Sequence, residues 1–524
     1  MMLLWLLIIP FVGGLLSWLI TPWNRSLGRW LCFAGLIIDA AMIVSVWVLH
    51  SSGSGDHAAA GWFLEYDAVW IASLGIHFHL AIDGVALLLA ALTILLGFCA
   101  IGCSRREIDH HLGSFYFTLM AVLTGILGVF TAADLFLFYF FWELMLIPMF
   151  FLILIWGREN RNYAAIKFFI FTQAGGFFML LSIVALYWIN FQRTGQSTFD
   201  YTRLVSLSMT GQLFITIGFL IAFAVKLPVV GVHMWLPAAY TEAPTAGSVI
   251  LAGLLSKTGA YGMIRFVLPL LSEDSNPLRL PVMILAVISI FYGAIMAFGQ
   301  KDVKRLVAYS SISHLGFVLL GLFAGTLMAW QGAVVVILAH GLSTGALFII
   351  TGFLQQRIKT RDLTTMGGLW TALPRMGSMT LFFVLASLGL PGLANFLGEF
   401  LVLAGMFRVY PWFAGIAAFG FVVSSVYSLR IVFRIFHGPS KKSWQITDLR
   451  WGEMMNLSVL AAGLIGIGIF PQPVLNMAEK SLKNASMMQS ATVQDIAPII
   501  EKTGEKMFEN RSLNNGTQIK NDAQ

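Results

Sequence analysis

Charged side chains are scarce in this chain. Asp, Glu, Lys and Arg make up 11% of its 524 residues, against about 25% in a soluble domain. Most of its surface must therefore face something other than water, and no room is left for a separate soluble catalytic domain. Cysteine is scarcer still. Cys32, Cys99 and Cys103 all fall inside hydrophobic segments, and no Cys-x-x-Cys or Cys/His cluster accompanies them. This excludes an iron–sulfur cluster, a zinc site and a disulfide framework as expectations for this chain. The chain also lacks a basic stripe. Its net charge of +7 is spread over short loops between apolar runs, so nucleic acid is not an expected partner. No basic region precedes the first apolar run, Leu3 to Ile20, which therefore reads as a retained helix and not a removed signal.

What the chain has in abundance is apolar length. Hydrophobic residues make up 58% and the mean hydropathy is +0.82. Runs of 18 or more apolar residues recur, each able to cross roughly 30 Å of hydrocarbon. The reading is an all-α polytopic membrane protein of about fourteen transmembrane helices. The spans are placed at 3–20, 30–49, 81–103, 114–131, 134–156, 166–190, 212–236, 245–269, 279–299, 305–324, 328–353, 376–408, 413–436 and 453–471. Alternate loops differ in cations. One set holds Arg25 and Arg29, Arg105 and Arg106, Arg158 and Arg161, Lys301 with Lys304 and Arg305, Arg357 to Arg361, and Lys441 with Lys442. The other holds only scattered cations such as Arg193, Arg203 and Arg279. The rich set belongs in the cytoplasm, which puts both termini on the opposite side. Residues 472–524 read as a polar tail, with the last dozen disordered.

Two spans carry breaks. Ala222-Phe-Ala-Val-Lys226-Leu-Pro228 puts a charge and a proline in mid-membrane, and Leu388-Gly-Leu-Pro391-Gly392 sets a proline between two glycines. Proline removes a backbone donor and interrupts a helix. In lipid such a break survives only where protein or a wet cavity satisfies the freed groups. The prolines lie 163 positions apart, and paired broken helices point to repeated transporter units. Other features repeat in the same order. Asp134 opens the run containing Glu143, and Asp302 opens the run containing His314. Thr172-Gln-Ala-Gly-Gly176 in one half answers Ser343-Thr-Gly345 beside His340 in the other. The division is an N-terminal three-helix segment (1–113), repeats of five helices each with one broken helix (114–269 and 279–436), and a final helix (437–471).

A charge near the bilayer centre costs about 2.5–3.5 kcal/mol on insertion scales, so each one needs a partner or a task. The candidates are Glu143, Lys226, Lys257, His314, His340 and Glu399, joined by His233 if the helix resumes normally after Lys226. Together they read as a chain of titratable groups able to pass a proton, because burial and pairing move carboxyl and amine affinities in opposite directions. The competing reading is a set of static ion pairs that glue helices together. Lys167 reads as a snorkelling residue, Asp83 and Arg265 as boundary or packing charges, and most Phe and Trp as lipid-facing or interfacial anchors.

These residues resemble a known family. Lys226-Leu-Pro-Val-Val-Gly-Val-His233-Met-Trp-Leu-Pro237 with Glu242-Ala-Pro-Thr-Ala-Gly-Ser248 is similar to the signature of the antiporter-like membrane subunits of respiratory complex I. So are Phe141-Trp-Glu143, Ser256-Lys257-Thr258, Asp302 through Ser310, and Ser313-His314. The likeness runs to about residue 471. Within the family, Gly398-Glu399-Phe400 stands where other antiporter-like chains typically place a lysine, and the chain ends soon after its last span, without the long lateral helix of one sister chain. The resemblance implies two inverted five-helix repeats, each a proton half-channel, joined by a central polar axis. It implies that Glu143 pairs with Lys226, that Lys257 lies on the axis, and that Glu399 serves the second half. It places NADH, FMN, iron–sulfur clusters and quinone on partner subunits, with no cofactor on this chain. Its expected partners are other membrane subunits of complex I, sister antiporter-like chains among them, and the lipid of the bacterial inner membrane.

One departure stands out. The family usually reads Trp-Leu-Pro-Asp-Ala-His, whereas this chain has Trp235-Leu-Pro-Ala238-Ala239-Tyr240. A methyl and a phenol replace a carboxylate and an imidazole, which puts in doubt any role of those two groups in proton uptake or helix linkage. The remaining alternatives are a subunit of a multisubunit sodium/proton antiporter, a membrane subunit of a hydrogenase complex, and a membrane scaffold with frozen ion pairs.

Overall fold

The computed structural model describes residues 1–51, 61–205, 212–271, 277–439 and 444–494. Its order is α1 (Met2–Ile20), α2 (Arg25–Ser51), the short strands β1 (Leu64–Tyr66), β2 (Val69–Ile71), β3 (Ile76–His77) and β4 (Leu80–Ile82), then α3 (Gly84–Ser104), α4 (Leu112–Thr131), α5 (Leu135–Trp156), α6 (Arg161–Thr194) and α7 (Tyr201–Val205). There follow α8 (Gln212–Lys226), α9 (Leu236–Glu242), and α10 (Thr245–Ile250), α11 (Ser256–Gly262) and α12 (Leu268–Leu270), separated by π turns at Leu251–Leu255 and Met263–Val267. The second half holds α13 (Arg279–Gly299), α14 (Val303–Phe323), α15 (Leu327–Ile358), α16 (Pro374–Ser387), α17 (Ala394–Phe407) and α18 (Pro411–Ile435), and the chain continues with α19 (Trp451–Ile469) and α20 (Gln472–Gln494).

Eleven described helices are each long and apolar enough to cross a membrane. The expected fourteen spans arise only when three composite segments count as one crossing each: α8 with α9, α10 through α12, and α16 with α17. All lipid-crossing segments are helical because a helix satisfies its own backbone donors and acceptors where no water can. The most apolar stretches of α14 and α15 are buried along their whole length, so these two form the protein's centre and the other helices screen them from lipid.

The halves share a structural device. Asp134 caps α5 by accepting hydrogen bonds from the amides of Phe136 and Leu137 at 2.9 and 3.0 Å. Asp302 caps α14 in the same way, accepting from Lys304 and Arg305 at 2.8 and 3.2 Å. Each cap then pairs antiparallel with a residue beyond the following long helix, Asp134 with Asp200 and Asp302 with Asp362. The flanking amides agree: Leu135 donates to Phe199 O and Val303 to Arg361 O. Five crossings separate the two caps, so they lie on opposite sides of the membrane and the repeats are inverted.

Both helix breaks are satisfied from within. At the first, α8 stops at Lys226, and the indole of Trp235 donates to the freed Val225 carbonyl at 2.8 Å. At the second, Gly389 and Gly392 take φ of 87° and 92°, a region that costs a side chain and is free to glycine. On the face that gathers the cation-rich loops, the turn Glu242–Thr245 is clamped from both halves. Arg361 reaches Glu242 Oε1 at 3.5 Å and Asp302 Oδ2 at 3.0 Å. Arg158 bonds Glu107, which in turn accepts from the Thr245 amide, and Lys304 Nζ donates to Ala243 O at 2.5 Å. Lys441 and Lys442, expected on this face, lie outside the described residues.

Several sequence expectations are revised. The chain is not purely helical: β1 pairs with β4 and β2 with β3 in a small nested hairpin on the opposite face. The third span begins at Gly84, and Asp83 is its cap, accepting from Ala86 N at 3.0 Å. The tail is not wholly irregular, since Gln472–Gln494 forms α20. Val474, Met477, Ala478, Leu482 and Ala485 are buried, a spacing that puts one apolar stripe down a polar helix. The stripe packs on α3, α12 and α15. The expected disorder of the last dozen residues falls outside the described residues.

Within the hairpin cap, His79 is 6% exposed and sits between two carboxylates, 2.7 Å from Glu65 Oε1 and 3.3 Å from Asp200 Oδ2. Burial alone lowers the affinity of an imidazole for its proton, but the two carboxylates outweigh it and raise His79 above its usual value of 6.5. Burial pushes the Asp200 carboxyl up, yet His79, Thr202 and the Arg203 amide together bring it down to about 2. His79 thus stabilises the cap fully below pH 6.5 and loses that contribution as pH rises through its raised value. Asp200 contributes above its usual 3.8 and loses its contribution as pH falls toward 2. Amide hydrogen exchange of residues 64–82 is accordingly slowest between these limits and accelerates on either side, whereas exchange without pH dependence beyond the chemical rate contradicts the assignment.

Candidate functional site

A buried line runs through four of the expected residues, Lys257 from the first repeat and His340, His314 and Glu399 from the second. Lys257, on α11 just past the first π turn, points its Nζ at His340 Nδ1, 2.6 Å away on α15, and also at the Ala252 carbonyl and Ser256 Oγ. With Nδ1 accepting from the ammonium, the His340 proton resides on Nε2, which has no partner among the described residues. The His340 and His314 rings are 5.8 Å apart between centroids. His314, on α14, donates from Nδ1 to Glu399 Oε1 of α17 at 2.8 Å, leaving Nε2 to accept from Ser387 Oγ and Tyr427 Oη, both at 3.1 Å. His314 and Glu399 are 2% exposed, while Lys257 and His340 are fully buried. The second break makes this contact possible, because α17 restarts beyond it with Glu399 turned toward α14.

The first half is differently arranged. Glu143 projects from α5 beside Tyr139 and Gln173, and Gly176 on α6 leaves room for its carboxylate, since a Cβ there would lie 2.5 Å from Oε1. Lys226 ends α8, 1% exposed, with Nζ 5.1 Å from the Trp142 ring centroid and 5.7 Å from that of Phe168. The face of an aromatic ring attracts a cation, so Trp142 and Phe168 cradle the ammonium. The ion pair of Glu143 with Lys226 implied by the family resemblance is not formed here. Lys226 Nζ and Glu143 Oε1 are both buried without a hydrogen-bond partner among the described residues. Glu143 on α5 and Lys226 on α8 thus form an open pair. Gly259 brings α11 against the end of α8, where a Cβ would meet Phe223 O at 2.7 Å and Leu227 N at 2.9 Å. This contact sets the Lys257 turn directly on the Lys226 break.

His233 does not share a helix face with Lys226. The helix ends at Lys226 and resumes only at Leu236, so His233 lies in the intervening turn and meets Tyr292 Oη of α13 at 3.2 Å. Lys167 is partly exposed and bonds Tyr163 Oη at 2.9 Å. Asp83 and Arg265 prove to be partners, with Nη2 to Oδ1 at 2.5 Å and the guanidinium 5.1 and 5.0 Å from the rings of Trp62 and Tyr261. The second π turn presents Arg265 to that carboxylate.

Sequence reading missed Tyr427, Ser387, Trp142 and Phe168 as members of the polar groups. Only Trp142, next to Glu143, carried a local signal; the others are brought in by tertiary packing. It also passed over Asp39 in α2, fully buried with neither carboxylate oxygen partnered among the described residues. The rule that flagged the other intramembrane charges applies to it equally.

Removing one member of a buried ion pair strands the other, at roughly 3–5 kcal/mol. Arg265→Met is therefore expected to destabilise the chain by about that amount, seen as a lower thermal midpoint or less assembled protein. Adding Asp83→Asn, which keeps the cap, recovers most of the loss. A double variant no better than the single one contradicts the pairing.

Comparison with known proteins follows the same lines. Residues 132–426 match the family described as NADH:quinone oxidoreductase/Mrp antiporter, TM. NADH-quinone oxidoreductase subunit M of Pseudomonas aeruginosa is 47% identical over 509 residues, covering 95% of this chain and 100% of that one. The protein of the same name from Escherichia coli K12 is 45% identical over 497 residues, covering 92% and 97%. Among solved structures, a chain of respiratory complex I from Thermus thermophilus with bound NADH superposes with a TM-score of 0.81 at 28% identity, covering 94% of this chain and all of that one. The inverted repeats, the buried polar line and these relatives agree: the chain belongs to the NADH:quinone oxidoreductase/Mrp antiporter transmembrane family.

Proposed function

We propose that this chain is a proton-translocating membrane subunit of an NADH–quinone oxidoreductase. The observation that carries the proposal is the buried line Lys257–His340–His314–Glu399. Every member of it exchanges protons, and the step between the His340 and His314 rings is 5.8 Å between centroids. Static glue needs paired charges, whereas among the described residues this line leaves His340 Nε2 without a partner, and the first half leaves Glu143 Oε1 and Lys226 Nζ the same way. A buried polar group left unpaired costs about 1–3 kcal/mol, and in the proposed cycle these three are the groups whose partners change.

In that cycle Glu143 and Lys226 open and close as a pair, loading and releasing a proton in the first half. Lys257 lies on the axis between halves. His340 and His314 pass the proton on, and Glu399 terminates the second half. His233, hydrogen-bonded to Tyr292, belongs at the junction of the two repeats and not on the line. The repeats at 114–269 and 279–436 are the two half-channels, and the segment 1–113 with the final helix flanks them. NADH, FMN, the iron–sulfur clusters and quinone are carried by partner subunits, and quinone chemistry there drives the movement here. The chain sits in the bacterial inner membrane among sister antiporter-like chains, its cation-rich loops in the cytoplasm and both termini in the periplasm. A subunit of a sodium/proton antiporter is the second reading, favoured by the breadth of the matched family; purification together with NADH dehydrogenase activity separates the two.

The test is NADH-driven acidification of inverted membrane vesicles, measured with quinone reduction, for wild type and Glu143→Gln. Both activities are expected to fall together in fully assembled complex, because the amide cannot accept or release the proton. If neither changes, the proposed route is wrong and the antiporter or glue reading gains.

A further inference from the structure

We propose that Tyr240 is a positioning residue, whose hydroxyl holds the π turn Leu251–Leu255 and thereby keeps Lys257 aimed at His340. The proposal deepens the proton-transfer reading above and rests on it. Tyr240 lies on α9, the short helix that follows the first break. Its side chain is fully buried, and its hydroxyl donates to the Leu251 carbonyl at 2.9 Å. That carbonyl opens the π turn and also accepts from the Ser256 amide five residues on. Ser256 Oγ in turn bonds Ala252 O at 3.1 Å and lies 3.4 Å from Lys257 Nζ, and Ala252 O accepts from the ammonium itself. The hydroxyl of Tyr240, the two carbonyls of the widened turn and the Lys257 ammonium thus form one connected group.

A π turn carries one residue more than an α turn, is rare, and is found mostly at functional sites. Collapsing it to α geometry rotates the residues after it by about 100° relative to those before, the angle of one helical residue. Lys257 lies two residues beyond the turn, so that rotation carries its Nζ away from His340 on α15. An outside donor to Leu251 O opposes the collapse, because it gives that carbonyl a second partner in the π geometry. Tyr240 is well fitted to be that donor. Its ring is wedged between Trp235 and Phe348, with centroids at 6.0 and 5.7 Å, both edge to face. Its own carbonyl accepts from Ser248 Oγ at 2.8 Å. The hydroxyl also hydrogen-bonds the Ser256 side chain, which ties it to the same turn. What the position requires is a rigid ring that ends in a hydrogen-bond donor, whatever its chemical type.

The experiment measures acidification and quinone reduction per assembled complex in inverted vesicles for Tyr240→Phe, Tyr240→His and Lys257→Met. Phenylalanine keeps the ring and loses the donor; histidine changes the ring and keeps an N–H donor. Tyr240→Phe is expected to lower both rates between about twofold and tenfold, the range set by one lost hydrogen bond, while Tyr240→His stays within about twofold of wild type. A role in packing alone predicts the reverse order, with Phe neutral and His harmful, and that result overturns the proposal. If Lys257→Met reduces pumping and Tyr240→Phe does not, the positioning role fails and the proton-transfer reading stands. If Lys257→Met changes nothing, the reading of Lys257 fails and takes this proposal with it. Should Tyr240→Phe not assemble, Tyr240→His decides: near-normal pumping supports the donor role and lost pumping overturns it.

Discussion

Hydrocarbon offers no hydrogen bonds, and nearly every feature of this chain follows from that. Each backbone group crossing the bilayer must find its partner within the protein, so the crossings are helices and every departure from helix is repaired locally. Trp235 repairs the first break through the Val225 carbonyl, and Tyr240 serves the π turn through Leu251 O. The same constraint governs side chains. Most of the charges singled out above lie where other helices shield them from lipid, those around α14 and α15 most deeply. There they are linked to one another, as Lys257 is to His340 and His314 to Glu399, or cradled by rings, as Lys226 is by Trp142 and Phe168.

Against that background the asymmetry of the halves is informative. The repeats share their capping aspartates, their antiparallel bridge and their broken helix, yet the second half holds a closed pair, His314 with Glu399, and the first an open one. A protein that needed only cohesion would close both, since an unpartnered buried ammonium destabilises it. The buried line and the open pair meet where Gly259 seats the Lys257 turn on the end of α8. In the proposed function, changes in the Glu143–Lys226 pair are delivered at the start of the line. On one face of the membrane Arg361, Arg158 and Lys304 clamp the turn that follows the first break.

Much of this was legible in the sequence because lipid makes mistakes costly and patterns plain. Long apolar runs located the crossings, and a proline beside a lysine or between glycines located the breaks. Glu143, Lys226, Lys257, His314, His340 and Glu399 stood out because ionisable residues are rare in such runs. What stayed hidden depends on distance through space. Nothing near Asp83 announces Arg265, 182 positions on, and nothing near His314 announces Tyr427. The displacement of His233 from the helix face was missed because a break deletes the periodicity on which the inference relied. The hairpin at 64–82 was missed because its strands are two or three residues long. The helix after Pro471 was missed because its apolar stripe is narrow and its average polarity is high.

The central claim is that Glu399 ends a working proton line and does not merely anchor His314. The most direct measurement is the number of protons moved per electron, together with the NADH oxidation rate, in vesicles containing assembled complex with Glu399→Gln. The amide retains an acceptor for the His314 Nδ1 proton, so the helices stay joined while the titrating group is lost. Proton movement and electron transfer are expected to fall together to a small fraction of wild type. Wild-type rates with an unchanged ratio would contradict it and leave Glu399 as structure alone.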